Sequence, residues 1–389
     1  MSLNSSFYSL KSYCESQNFA GWDPYDGLTS KLFQSIPIVR NNRFCRLAWI
    51  QLFKRSPINL RPFVGITKQH NAKGLGLFLS GYCNLYRIDG NSDHLDKAIL
   101  LAEKLVSLQS AGYSGASWGY YFDWQARAFF QPGNTPTVVA STYVASAFLD
   151  LYDLTKDEKY LNIARSTCDF VLNDLNRTFD EDGSFAFSYS PLDKSVVFNA
   201  SLLGSRILSR VYSYTNESHL KEKAEKSVAF CCKHQQNDGS WAYGTYEFHQ
   251  WVDNFHTGFN LECISDYIKF TGDMRYQSNF ELGLKYYVET FFTEEGIAKY
   301  YHNQMYPIDI HSPSQLIVTL YKTEQFKQNR ELAGRVLNWT IDNMQSNKGY
   351  FYYQIKKRLS SRIPYMRWAQ SWMFYSFSIH FLATNDEKN

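Results

Sequence analysis

The chain has 389 residues and a formal charge of +3, and no Pro/Gly/Ser-rich linker or low-complexity tract interrupts its even apolar content, so one domain over 1–389 with a large core is expected rather than two. Scattered Lys and Arg exclude the electrostatic footprint of a nucleic-acid binder. No apolar run reaches the ~18 residues of a membrane span and the N-terminus lacks the basic and apolar regions of a secretion signal, so no membrane insertion and a cytoplasmic location are expected.

In chain order, residues 1–37 carry GWDPYDG (21–27) and are placed as a segment covering one face of the fold. Residues 38–54 read as an amphipathic outer helix. A segment rich in small and apolar residues then recurs, beginning near Lys68, Pro136, Lys194, Asn254, Pro313 and Pro364. Each is apolar on nearly every face, as in PTVVASTYVASAFLDLYDLT, the pattern of a helix buried on most sides. Between them, 93–109, 157–175, 218–235, 275–292 and 328–345 are amphipathic at helical spacing, as with Leu95, Ala98, Ile99, Ala102, Leu105 and Val106. Thr135-Pro136 and Ser312-Pro313 place a capping hydroxyl before a proline, and Pro364 matches them, so the buried helices are expected to start there.

The turns SGASWGYY (114–121), DEDGSFAFSY (180–189), QNDGSWAYG (236–244), EEGIAKYY (294–301) and NKGYFYY (347–353) each reverse at a Gly and continue into aromatic residues. Closing six inner–outer hairpins into a ring gives an all-α fold, an (α/α)6 toroid with aromatic rim loops. An open solenoid would need polar end caps that the sequence does not show. Seven cysteines, odd in number and without CxxC spacing, read as reduced thiols. Among them Cys231 and Cys232 point apart on an outer helix and read as structural.

With the repeat and the turns in view, the chain resembles the six-hairpin (α/α)6 glycosidase-like superfamily, which includes N-acylglucosamine 2-epimerase-like enzymes, unsaturated uronyl hydrolases and polysaccharide lyase domains. More closely, GWDPYDG, VDNFHTGFNLE (252–262), YPIDIHSPSQ (306–315) and IPYMRWAQSWMFYSFS (363–378) are similar to bacterial VpsJ-like proteins of polysaccharide biosynthesis. The resemblance implies a sugar or oligosaccharide ligand without fixing the reaction. QNDGSW also fits the Q-x2–5-G-x-W pattern of terpene cyclases and prenyltransferase β-subunits. The DxDD acid and the Asp-x-Cys plus His zinc set of those enzymes are absent, which leaves an isoprenoid reading third.

Asp253 and His256, at i,i+3 on a helix, share a face; either the carboxylate orients and charges the imidazole, or it only caps the helix. Asp309 and His311, at i,i+2 in an extended piece, also point one way, so two Asp/His pairs are expected at one level of the mouth. The four are the catalytic candidates, with the histidines as acid and base. They lack a tight metal-ligand motif, and neither a metal nor a cofactor is expected. His70, Asn71, Asn199, Arg367 and Gln370 read as a hydrogen-bonded network closing the ring or as a ligand site, with Arg367 and Lys68 or Arg127 clamping an anion. The rings Trp22, Trp118, Trp124, Trp241, Tyr243, Trp251 and Trp368 fall on rim loops or at inner-helix starts, where they stack on a sugar or pack the turns. Asp23, Asp26 and Asp123 either bind hydroxyls or shape turns. An epimerase, lyase or glycoside hydrolase is the leading reading, and a non-catalytic glycan-binding or assembly subunit is the alternative.

Overall fold

The computed structural model describes residues 2–127 and 129–386. Its helices are, in order, α1 (Leu3–Ser16), α2 (Lys31–Gln34), α3 (Pro37–Asn41), α4 (Arg43–Arg55), α5 (Ala72–Asp89), α6 (Ser92–Ser107), α7 (Val138–Thr155), α8 (Glu158–Asn173), α9 (Phe198–Thr215), α10 (Ser218–Lys233), α11 (Asn254–Thr271), α12 (Gln277–Phe291), α13 (His311–Lys322), α14 (Arg330–Met344) and α15 (Ser371–Asp386). A π-helical turn, Met366–Gln370, leads into α15. The apolar segments are α5, α7, α9, α11, α13 and α15. Each packs on the next, and α15 packs on α5, which closes the ring. The amphipathic helices α6, α8, α10, α12 and α14 lie outside, each against the inner helix that precedes it. The fold is all-α, an (α/α)6 toroid.

The sixth outer place belongs to α1, which packs on α14 and α15 and buries Phe7, Leu10 and Cys14 along one stripe. Residues 38–54, expected in that place, lie elsewhere. Helix α4 buries only Ile50 and Phe53, too narrow a stripe for an outer helix, and packs with α3, the turn Asp26–Thr29 and the strand Trp124–Gln125. Residues 21–64 thus form a cover with a small core of Leu28, Phe33 and Ile50. The cover begins later and runs further than the expected 1–37.

The turn glycines show why the hairpins repeat. Gly239, Gly296 and Gly349 have φ of 95°, 89° and 90°. A β-carbon on them would lie 2.5, 2.5 and 2.3 Å from the carbonyl oxygens of Leu282, Arg335 and Ser9. Each turn therefore docks its backbone on the next outer helix, where only glycine combines that torsion with that approach. Ser9 lies in α1, so the last turn treats α1 as the outer helix it follows.

Helix starts differ from the proline-based expectation. Thr137, not Thr135, caps α7 by accepting from Ala140 N at 3.0 Å, while Pro136 lies in an extended bridge to Gly119. Helix α13 begins at His311, before Ser312, so Pro313 sits within its first turn, where its missing N–H costs nothing. Short bridges Gly21–Gln69, Val197–Gly244 and Asp253–Tyr301 link the inner-helix starts around one mouth of the ring.

Candidate active site

The starts of α5, α7, α9, α11 and α13 and the π-helical turn all open at the mouth beneath the cover, so their positive dipole ends face one space. Its wall is aromatic. Tyr243 stacks on Trp251 with centroids 4.6 Å apart and meets the His256 ring at 4.7 Å. Trp124 meets Tyr189 at 5.7 Å, and Tyr25 of the cover reaches both Trp124 and Trp368. Phe255 and Tyr300 complete this side at 5.3 Å. Tyr25, Trp124, Tyr189, Tyr243, Trp251, His256 and Tyr300 lie deep, yet each keeps part of its surface exposed, so the rings form a partly exposed aromatic lining to the mouth, the chamber wall. Hollows on the outer wall are unlike it: the one of about 550 Å³ between α1 and the 347–349 turn is lined mainly by Ser and Tyr.

Asp253 and His256 form the polar centre of the wall. Asp253 Oδ1 accepts from His256 N at 3.0 Å, and Oδ2 accepts from Trp251 Nε1 at 3.0 Å and lies 2.7 Å from His256 Nδ1. Cap and partner are one residue, because the two oxygens divide the tasks. With Nδ1–H held by the carboxylate, the neutral imidazole presents Nε2 as its acceptor. The ring is about one-fifth exposed while Asp253 is fully buried.

The second Asp/His pair is arranged differently. Asp309 accepts from His311 N at 2.9 Å, Trp368 Nε1 at 2.9 Å and Gln354 Nε2 at 2.5 Å, and burial pushes its carboxyl up to about 6. His311 does not stand at the mouth. It is buried between Phe255, at 4.5 Å, and Trp372, at 4.3 Å, with both ring nitrogens lacking a hydrogen bond among the described residues. Burial, Lys73, His256 and Arg367 hold it well below the usual histidine range, so it is neutral. Among the described residues no three or more His, Cys, Asp or Glu side chains are placed to hold a metal.

Several expected ligand contacts are structural. Trp118 and Trp241 are core, donating Nε1–H to Leu105 O at 2.7 Å and Cys231 O at 3.0 Å, so each indole plugs the end of an outer helix. Asp23 is engaged bidentately by Arg367, and Asp26 accepts from Arg61 Nε at 2.6 Å. Neither acid is free to bind a hydroxyl, nor is Arg367 free to clamp an anion. Asp123 accepts from Gly133 N at 2.7 Å within its own hairpin. Gln370 both donates to and accepts from the backbone of Phe351, tying the last turn to the π-helical turn before α15. Lys68 lies over Trp22 and bonds Gln17, and His70 Nε2 lies 2.9 Å from Asn18 O, so this trio secures the end of α1. Arg127 is exposed on its hairpin, and Asn71 caps α5. Asn199 is buried at the start of α9, its Oδ1 lacking a partner among the described residues.

Two lysines outside the expected set, Lys54 and Lys73, lie at the site. Lys54, on α4, donates to Tyr25 Oη at 2.7 Å and brings a charge from the cover to the chamber. Burial lowers its pKa, but Tyr25 and Asp309 more than offset this and leave it raised. Lys73, in the first turn of α5, is buried under the rings of Tyr143, Phe259 and Trp372, 4.3 to 5.2 Å away. Burial and then Arg367 hold its amine well below the ordinary lysine range. A charge in the first turn of an otherwise apolar helix, NAKGLGLFLSGY, was the available clue to Lys73. Nothing in the sequence linked Lys54 to the mouth, because 38–54 reads as an outer helix.

No family model matches the chain, and no curated protein matches it. Solved structures do. Cellobiose 2-epimerase from Bacillus thermoamylovorans B4167 superimposes with a TM-score of 0.64 at 14% identity, over 81% of this chain and 88% of that one. The Lin0763 protein from Listeria innocua gives 0.61 at 15%, over 82% and 87%. An unsaturated glucuronyl hydrolase specific for heparin gives 0.60 at 11%, over 84% and 90%. This chain has their fold.

Proposed function

We propose that the protein is a carbohydrate-active enzyme whose base is His256, removing a proton from a sugar carbon next to a carbonyl or carboxylate. The observation that carries this reading is the Asp253–His256 pair opening into an aromatic chamber. Sugar C–H faces stack on such rings, and the pair leaves one imidazole nitrogen free to accept a proton. Negative charge developing on the substrate oxygen is favoured by the inner-helix starts and by Lys54, which the cover brings to the mouth. Hydrolysis fits less well, since it uses two available carboxylates. Asp23, Asp26, Asp253 and Asp309 are all engaged by protein donors. The epimerase, lyase and hydrolase activities of proteins with this fold support a sugar substrate. The VpsJ-like motifs support a place in polysaccharide metabolism.

Incubation with reducing disaccharides and uronic-acid oligosaccharides in deuterated water tests the reading. The expected result is deuterium at the carbon beside the carbonyl or carboxylate, or its elimination product, lost in His256→Asn. Release of monosaccharide without carbon-bound deuterium would point to hydrolysis. Sugar binding without any turnover, unchanged in His256→Asn, would point to a glycan-binding subunit.

A further inference from the structure

The sequence between Asp26 and Asp89 contains no Asp or Glu, but holds Lys31, Arg40, Arg43, Arg55 and Lys68, all exposed. The same stretch exposes large apolar side chains to a degree unusual for this molecule: Ile38 86%, Phe63 84%, Phe44 76% and Ile58 66%. Lys68 aside, which Trp22 and Gln17 hold at the end of α1, these residues all lie in the cover and are exposed. Helix α2 packs on α3 and on the turn Arg61–Val64, α3 packs on α4, and Lys31 lies against Gly65. The patch continues onto a second acid-free segment, since Lys356 Nζ donates to Arg55 O at 3.3 Å and Lys357, Arg358 and Leu359 beside it are exposed. The cover's own carboxylates, Asp23 and Asp26, are buried in ion pairs and do not neutralise the surface.

We infer that the outer face of the cover docks on an anionic membrane surface. Cations together with isolated, protruding apolar side chains are what the headgroup region accepts: lysine and arginine stay with lipid phosphates while the apolar tips enter the acyl boundary. The fold surrounding the patch needs no spanning helix, and no helix among the described residues is long and apolar enough to cross a bilayer. A second copy docked face to face would set cation against cation. Nucleic acid would leave the aliphatic tips of Ile38 and Ile58 without a partner. Because the cover lies over the chamber mouth, docking would set that mouth at the membrane, within reach of a glycan on a lipid carrier.

Co-sedimentation with vesicles of phosphatidylcholine, alone or mixed with phosphatidylglycerol, tests this directly. The protein should pellet with the anionic vesicles, stay in solution with the neutral ones, and be released as salt rises. The variant Arg40→Glu/Arg55→Glu/Lys357→Glu/Arg358→Glu should lose about tenfold or more in partitioning. Ile38→Asn/Phe44→Asn/Phe63→Asn should also bind more weakly. All these side chains are exposed, so circular dichroism and the thermal transition should match wild type, and sugar binding in solution should not change. Absence of binding to anionic vesicles, or wild-type binding by both variants, would overturn the inference. So would a wild-type dimer in light scattering that the apolar variant converts to monomer, since the patch would then be a contact between copies.

Discussion

Asp253 has three donors to satisfy, and an amide cannot serve them all. Asparagine at 253 retains one oxygen to cap His256 N, but its NH2 would face Trp251 Nε1–H and His256 Nδ1–H. At His256 the clash is relieved when the proton moves to Nε2, the atom that accepts from substrate in the proposed reaction. Asp253→Asn is therefore expected to keep the fold, lower kcat by a hundredfold or more with little change in sugar affinity, and switch the His256 tautomer, which 15N NMR reports directly. A variant that keeps both wild-type tautomer and turnover would reduce Asp253 to a cap. Trp241 and Trp251 make a contrasting pair ten residues apart. Trp241→Ala removes a buried indole and should cost about 3–5 kcal/mol in denaturant unfolding, whereas Trp251→Ala, at the chamber wall, should mainly weaken sugar binding. The sequence placed both rings on the rim but could not separate them. Which way a turn residue faces depends on the outer helix it docks on, and the hydrogen bond from Trp241 to Cys231 O appears only once α10 is in place.

At the scale of elements, six apolar segments and five amphipathic ones were legible because burial on all sides and burial on one side leave different periodicities. The last outer helix was misassigned to 38–54 because that stretch is also amphipathic. Its exposed face carries Phe44 and Leu52, however, where α1 pairs Phe7, Leu10 and Cys14 with a back that is polar apart from Tyr8. The cover itself was only partly legible, since its attachment to the ring rests on an ion pair between residues far apart in sequence, Asp23–Arg367, and its own folding on the internal pair Asp26–Arg61. These locks are buried, so breaking one leaves an unpaired charge, at a cost of about 3–5 kcal/mol. Asp23→Asn is expected to loosen the cover before the ring. Limited proteolysis should cut within 31–58 in this variant while a large ring fragment persists. Cleavage throughout the ring at the same rate would show that cover and ring unfold as one unit.

Across the whole molecule, the ring axis below the chamber is filled by charge rather than left open. Arg206 Nε pairs with Asp266 at 2.5 Å and its NH1 lies 3.4 Å from Glu262; Arg210 pairs with Asp150 at 2.8 Å, and Ser80 donates to Asp150 at 2.6 Å. These groups come from α5, α7, α9 and α11, so they join neighbouring hairpins. Glu262 is the member whose charge the fold supports least. Burial pushes its carboxyl from 4.5 up to about 7; Arg206 opposes the rise and Asp266 adds to it. The folded state therefore holds a proton that the unfolded chain releases above its ordinary glutamate pKa. Between about pH 4.5 and 7 the folded state binds more protons than the unfolded one, so this residue's contribution to stability falls as pH rises and levels off above 7. Glutamine keeps the shape of the protonated form and cannot ionise. Glu262→Gln should accordingly gain on wild type steadily across that window, by roughly 3 kcal/mol in all, and run parallel to it on either side. Paired urea titrations from pH 4 to pH 8 measure the difference and cancel the contributions of groups unchanged between the two proteins, including the buried histidines. A difference that stays constant with pH would mean that Glu262 ionises in the ring as it does in the unfolded chain, with Arg206 fully compensating its burial.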